Sequence, residues 1–504
     1  MTLAIIYTRA SIGIQAPAVL VEVHISTGLP CFTLVGLAET AVKEARDRVR
    51  SALLNSGFTF PAKRITVNLA PADLPKEGGR FDLPIALGIL AASAQIPTDN
   101  LSRYEFLGEL GLSGSLSPVI GAIPAVLAAH AAQRQLIIAE RNQHEVALVR
   151  RQETLIAPDL LTLCAYLHGK QPLPSAILIE RPVLHTPLDL QEVIGQQHAK
   201  RALEIAAAGG HHLLLLGPPG TGKTLLANRL TSLLPPLTPD EALESAAIAS
   251  LANGQQPLQP WHPPPFRAPH HTASMAALVG GGSRPTPGEI ALAHNGVLFL
   301  DELPEFDRRS LDALRQSLES GEIAIARANY KINFPARFQL IAAMNPSLNK
   351  TVSGADLLAD PRPLLRYLNR LSAPLLDRFD LSLEVPLLPY GALSQGRDRG
   401  ESSPVIQARV IAARALQMNR RNKSNVWLSS REVEQDCPLT KADAHFLETA
   451  LSKLGLSIRA WHKILKVART IADLEAAPRI SRDHLTEALS YRAMDRLLRR
   501  LSGG

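Results

Sequence analysis

Residues 213–230 read LLLLGPPGTGKTLLANRL, and no other stretch of this 504-residue chain restricts the fold so strongly. The four leucines form an apolar run of strand length, bounded by Gly217, Pro218 and Pro219. Such a run predicts a strand buried on both faces. The residues from Lys223 onward favour a helix. A GxxxxGK[ST] pattern set between a strand and a helix, here Gly217, Gly222, Lys223 and Thr224, is a phosphate-binding loop. The loop takes in Pro218, Pro219, Gly220, Thr221 and Leu225 as well. Its glycines let backbone amides curl around phosphates, and the helix start adds positive potential. Lys223 would neutralise β- and γ-phosphate charge and the Thr224 hydroxyl would hold Mg²⁺, so ATP and Mg²⁺ are the expected cofactors.

A second apolar run, GVLFLDE (296–302), ends in adjacent carboxylates. Asp301 is placed to hold Mg²⁺ through water, and Glu302 to orient and polarise an attacking water. That division of labour favours nucleotide hydrolysis over transfer to a second substrate. Strand-like runs (HLLLLG, GVLFLDE, FQLIAAMN) alternate with helical patterns (KTLLANRLTSLL, SLDALRQSLESG), which predicts a parallel sheet covered by helices.

Length and composition frame this module. A chain of 504 residues, 46% hydrophobic, is too long for one core and should divide into about three domains. The proline-rich stretch 171–187 suggests a linker. Upstream, VEVHISTGLPCFTLVG reads as two strands around a Gly-Leu-Pro turn and ETAVKEARDRVRSALLNSG as an amphipathic helix, so the first domain mixes α and β. Downstream, the Pro/Gly/Ser-rich segment 385–404 leads into a tail of helical periodicity. The expected boundaries are 1–170, a linker at 171–188, an α/β ATPase domain at 189–390 and a helical lid domain at 391–504. Three separated cysteines, Cys31, Cys164 and Cys437, form neither a zinc pattern nor a disulfide framework, which fits a reducing cytoplasm. No window approaches the roughly 18 apolar residues of a membrane span. The formal charge of +7 favours a polyanionic partner only weakly, because it is spread along the chain.

GPPGTGKT, GEIALAHNGVLFLDELPEF, LLDRFDLSLEVP and LSIRAWHKILKVARTIADLE, in this order, resemble the magnesium-chelatase-like AAA+ ATPases, closest to the ComM/YifB type. The similarity extends into the first domain through GLAETAVKEARDRVRSALLNSGF and RITVNLAPADLPKEGGRFDLPIALGIL. The resemblance implies a Lon-protease-like (ribosomal S5 domain 2-like) α+β first domain, a central AAA+ α/β domain and a C-terminal helical lid. It implies a homo-oligomeric ring, usually a hexamer, with ATP between subunits. It also implies a helicase that drives branch migration of single-stranded and branched DNA during natural transformation, alongside recombination proteins. Carried over residue by residue, Asn345 matches the sensor that holds the water or γ-phosphate, although alone it could cap a strand. Arg378 matches the arginine finger that reaches a neighbour's ATP, its alternative being an intramolecular partner of Asp377 or Asp380. Arg370 is a second finger candidate. Arg459 matches the second sensor on the lid, acting in cis or in trans. Val193 and Ile194 match apolar contacts to the adenine.

Departures are equally informative. Where a Lon-type serine and lysine would fall, this chain has Arg80 and Phe81, and Ile123, Pro124 and Ala125, so proteolysis lacks its nucleophile and base. The stretch NPSLNKTVSGADLLADP lacks the cysteines of relatives and can form no zinc knuckle. The adjacent histidines of FRAPHHTASMAALVGGG, His270 and His271, are poorly spaced for a metal and would compete with Glu302 as bases. Their position corresponds to a helix-2 insert hairpin projecting into the ring channel, unless they only satisfy local backbone groups. A second hairpin is expected from GEIAIARANYKINFP, with Arg327, Asn329 and Lys331 around its turn. Such tips could grip DNA phosphates without reading bases. The rival to a DNA motor is a chelatase-like chaperone that remodels a protein partner or inserts metal. Against it, the chelatase subunit is expected to lack a first domain of this kind.

Overall fold

The computed structural model describes residues 3–36, 44–76, 78–150, 153–178, 188–252, 262–282, 285–327, 330–346, 362–388, 390, 400–456 and 458–501. In the first domain, Leu3–Arg9 (β1), Ala18–Ser26 (β2), Cys31–Val35 (β3) and Arg64–Ala70 (β4) make one sheet in the order β1-β2-β4-β3. Val19, Val21, Val23 and Ile25 alternate inward along β2 and bury one face. The two strands around Gly28 are not neighbours. β4 lies between them, antiparallel to β2 and parallel to β3. A parallel pair needs a crossover, and the helix Ala45–Asn55 (α1) supplies it. The helix Asp82–Ala92 (α2) is buried along its whole length against β1 and β2.

Tyr104–Leu107 (β5), Gln135–Ala139 (β6) and Leu155–Ala157 (β7) form a second, parallel sheet. The proline-rich stretch begins as part of this domain. Ile156 N–H donates to Pro174 O at 3.0 Å, Ala176 N–H donates to Thr154 O at 2.8 Å, and Leu173 is buried. The rest of that stretch, 179–187, lies outside the described residues.

The helix Ala122–Ala131 (α3) joins the first domain to the second. Its Ile123, Val126 and Ala129 share a buried cluster with Ala246 and Ala247 of the helix Pro239–Ala249. The turn before α3 is stitched to the end of that helix by Gly121 N–H donating to Ser250 O at 3.0 Å.

The second domain is built on five parallel strands. The helix Gln197–Gly209 (α4) precedes Leu213–Leu216 (β8), which leads through the glycine loop into Lys223–Arg229 (α5) and then Pro239–Ala249 (α6). Phe266–Arg267 (β9), Val297–Leu300 (β10), the helix Arg308–Ser320 (α7), the hairpin Glu322–Arg327 (β11) and Tyr330–Pro335 (β12), Gln339–Met344 (β13) and Leu381–Glu384 (β14) follow. The sheet order β9-β10-β13-β8-β14 puts the leucine strand between two others, which explains its four buried leucines.

In the lid, Ser403–Arg421 (α8), Lys441–Leu454 (α9), Ile458–Leu474 (α10), Arg482–Ser490 (α11) and Ala493–Leu501 (α12) follow in chain order. α8 and α10 pack on α4, and Ile464 and Ala468 join the core of Leu213 and Leu215. The chain then returns to the sheet, where Ser382 N–H donates to Tyr491 O at 2.8 Å and Met494 N–H donates to Ser382 Oγ at 2.9 Å. Among the described residues no helix is long and apolar enough to cross a membrane.

Buried His212, just before β8, gives the fold an acid limit. Its Nδ1 accepts the Leu340 N–H at 3.0 Å and so must keep its lone pair. Burial pushes its pKa down from 6.5 to about 4, against the pull of Asp380. The unfolded chain therefore takes up this proton first. The contribution is complete above 6.5 and lost as pH falls toward 4, about 3 kcal/mol at the limit. The thermal midpoint should fall between pH 7 and pH 5 in the wild type and more gently in His212→Asn, whose amide oxygen can still accept the Leu340 N–H. Parallel losses would put the acid limit elsewhere.

Candidate nucleotide site

The glycine loop is shaped by the two strands that flank β8. Gly217 N–H donates to Met344 O at 3.2 Å, and a Cβ at Gly217 would strike the carbonyl of Val385. Gly222, at φ 86°, turns the chain into α5 through the left-handed region that glycine enters freely. Lys223 Nζ donates to Gly217 O and Pro218 O, both at 2.8 Å, folding over its own loop. Burial lowers its pKa, and the nearby Asp301 and Glu302 charges partly oppose that.

The sheet brings Asp301 to this loop, because β10 ends on the same edge as β8. Thr224 Oγ1 donates to Asp301 Oδ2 at 2.6 Å. Asp301 Oδ1 accepts the Glu302 N–H at 2.9 Å, and Glu302 itself stands at φ 53°, an uncommon conformation for a residue with a Cβ. A hydroxyl and a carboxylate in contact beside a glycine loop at a helix start are the hard-oxygen donors that Mg²⁺ takes and the cradle that phosphates take. The residues present thus fit both groups. Asn345 follows Met344, whose carbonyl holds Gly217, and its backbone N–H bonds the Tyr367 hydroxyl. Burial pushes Tyr367 up to about 12, so it stays neutral beside Glu302 and Glu305. Val193 is buried and Ile194 half-buried, in a segment tied to α5 by Arg229 Nη2 on Glu192 Oε2 at 2.5 Å.

The histidine pair is not at a hairpin tip, and that expectation is corrected. β9 pairs in parallel with β10, so the chain leaving β9 emerges on the edge that carries Asp301. His271 Nδ1 lies 3.1 Å from Glu302 Oε2, its ring edge-on to Phe306. The His270 ring lies 4.1 Å from that of His271, tilted by 34°, and turns its Nδ1 back on Thr272, accepting the backbone N–H at 3.3 Å. His270 therefore does what the local reading expected, and His271 touches the candidate catalytic carboxylate. The second hairpin does form. Arg327 pairs with Tyr330 and Ala326 with Lys331, which sets Arg327 and Lys331 on either side of the turn, while Asn329 lies outside the described residues.

Arg378 and Arg459 occupy the opposite edge of the sheet, whereas Arg370 lies beside the residues that follow Glu302. β14 begins at Leu381 opposite Leu213, so Arg378 sits beyond the start of β8, a four-residue strand or about 13 Å of chain from the glycine loop. It is paired with Glu319 of α7 rather than with Asp377 or Asp380. Arg370 Nη1 donates to Glu305 Oε2 at 2.7 Å. Arg459, largely exposed, stands 3.5 Å from Asp377, on Arg378's side of the sheet. Sequence reasoning missed the contact of His271 with Glu302 and the lid lysine Lys463, which donates to Phe379 O at 3.2 Å.

Comparison with known proteins agrees along the whole chain. Residues 189–393 match the family described as magnesium chelatase, subunit ChlI, and residues 400–492 the C-terminal part of that subunit. Residues 21–142 match a family described as subunit ChlI of Mg-chelatase, so a first domain does not by itself argue against the chelatase reading. The chain is similar to the competence protein ComM of Haemophilus influenzae, 61% identical over all of both chains. It is 57% identical to the uncharacterized protein YifB of Escherichia coli over 99% of this chain and 98% of that one. The magnesium-chelatase 38 kDa subunit of Rhodobacter capsulatus is 30% identical over 60% of this chain and 86% of its own. With motifs, sheet order and full-length similarity in agreement, the chain belongs to the ComM/YifB family of magnesium-chelatase-like AAA+ proteins.

Proposed function

We propose that the chain is an ATP hydrolase that assembles as a ring, usually of six copies, and moves branched DNA. The observation that carries this reading is the division of the site between two sheet edges. Lys223, Thr224, Asp301 and Glu302 meet at one edge, and Arg378 and Arg459 stand at the other. Arginines so placed stand away from the glycine loop of their own chain and suit a nucleotide held by another copy, as in a ring, and on this reading Arg459 also acts in trans. Lys223 and the loop amides hold the phosphates, and Glu302 orients water and takes its proton. Bound Mg²⁺, held by Thr224 and Asp301, would neutralise charge on the phosphate oxygens. Val193 and Ile194 would flank the adenine, and Asn345 would hold the water or γ-phosphate.

DNA is favoured by the resemblance to a competence protein and by the hairpin whose two strands carry Arg327 and Lys331 next to its turn. On this reading the protein works in the cytoplasm, in natural transformation and with recombination proteins. The chelatase-like chaperone remains the second reading, favoured by the family matches themselves. Hydrolysis measured with and without single-stranded DNA separates them. A motor should be stimulated, and Arg327→Ala with Lys331→Ala should lose that stimulation while keeping basal hydrolysis. Because binding to phosphates releases counterions, the double variant should also show a shallower salt dependence of DNA affinity, by about one unit of slope for each phosphate it no longer neutralises. No response to any DNA would favour the chaperone.

A further inference from the structure

The turn that carries Arg378 is gripped by the lid of its own chain. Lid helix α10 places Arg459 and Lys463 one turn apart on the same face. Arg459 reaches the Asp377 carboxylate at 3.5 Å, and Lys463 Nζ donates to Phe379 O at 3.2 Å. From the segment that returns to β14, buried Arg492 donates to Asp380 O at 3.4 Å. Asp380 closes the grip from inside, its Oδ2 accepting the His212 N–H at 3.0 Å with His211 Nδ1 at 3.7 Å. Burial alone would push the Asp380 carboxyl up. His211, His212 and Lys463 outweigh that and hold it below the usual range, so it stays charged.

This is more than ordinary packing. Three cations converge on four consecutive residues, and two of them spend hydrogen bonds on backbone carbonyls. A carbonyl contact fixes where the chain runs without engaging the Arg378 side chain, whose partner in its own chain is the half-exposed Glu319.

We propose that Lys463 and Arg492 are positioning residues that lock the Arg378 turn and the Arg459 helix into one block, so that both arginines are offered together to a neighbouring nucleotide. The inference rests on the proposed hydrolysis across subunits. It assigns to the lid a task for the next site in the ring.

The test uses the full chain carrying Lys463→Met, which keeps the stem and removes the ammonium, and separately Arg492→Gln. For each variant that keeps a wild-type thermal midpoint, kcat should fall tenfold or more while KM stays within about twofold. Mixing Lys463→Met with Glu302→Gln should restore turnover, because the Glu302→Gln copy still offers a well-placed arginine pair to the intact Glu302 of the other. Lys463→Arg should recover much of the rate. If Arg378→Ala abolishes hydrolysis and both lid variants turn over normally, or if neither is rescued in mixed rings, the positioning role is wrong. If Arg378→Ala itself hydrolyses normally, the reading beneath it fails instead. A variant that unfolds is replaced in the comparison by the other, since the two cations approach from different elements.

Discussion

Replacing Glu302 by glutamine is expected to leave ATP bound and to reduce turnover by about 10²–10⁴, the range typical of a lost general base. The substitution is nearly isosteric, and Asp301 keeps its contacts with Thr224 Oγ1 and with the backbone N–H at position 302. The groups proposed to hold phosphate and Mg²⁺ are therefore untouched. His271 Nδ1 can still donate to the amide oxygen. The loss should appear in kcat, with nucleotide affinity unchanged or tighter. Lys223→Ala gives the contrasting result, because it removes the cation that covers the loop and should abolish nucleotide binding. Equilibrium binding of a fluorescent ATP analogue, read beside phosphate release, distinguishes the two. Wild-type hydrolysis by Glu302→Gln would show that another group activates the water.

Arg378→Ala should be as severe, with a loss of about 10³ or more and little change in ATP affinity. The magnitude separates catalysis from folding. In one chain Arg378 is paired with the half-exposed Glu319, and an exposed pair of this kind contributes only about 0–1 kcal/mol to stability. Mixing Arg378→Ala with Glu302→Gln should recover part of the activity, since each copy supplies what the other lacks. If mixed rings form and remain inactive, attention moves to Arg370, which stands beside Glu305 and therefore nearer the edge that carries Glu302.

The parts of this molecule legible in the sequence are those whose chemistry is local. Gly217 to Thr224 announce their loop because strand, turn and helix lie within a dozen residues, and Asp301 with Glu302 end a run too apolar to lie anywhere but inside a sheet. The three-part architecture was legible through the resemblance. What stayed hidden depends on which strands are neighbours. β4 inserts between β2 and β3, although the segment reads as two strands joined by a turn. β9 is two residues long, too short for any pattern, yet its pairing with β10 decides that His271 faces Glu302. Lys463 was invisible for another reason. On an amphipathic helix a lysine reads as solvated surface, and only the approach of Phe379, 84 residues away, gives its ammonium a partner.

The seam between the first two domains has a practical corollary. Ala246, Ala247 and half-buried Leu243 on α6 are covered by Ile123, Val126 and Leu127 of α3, so cutting the chain in the proline-rich stretch would bare a greasy stripe on the half that holds the glycine loop. The fragment from 189 onward should then be prone to clump in solution. A first domain anchored through α3 and through the Gly121–Ser250 bond is also a poor candidate for a swinging arm: whatever tilts α6 carries the described core of that domain with it as an outrigger.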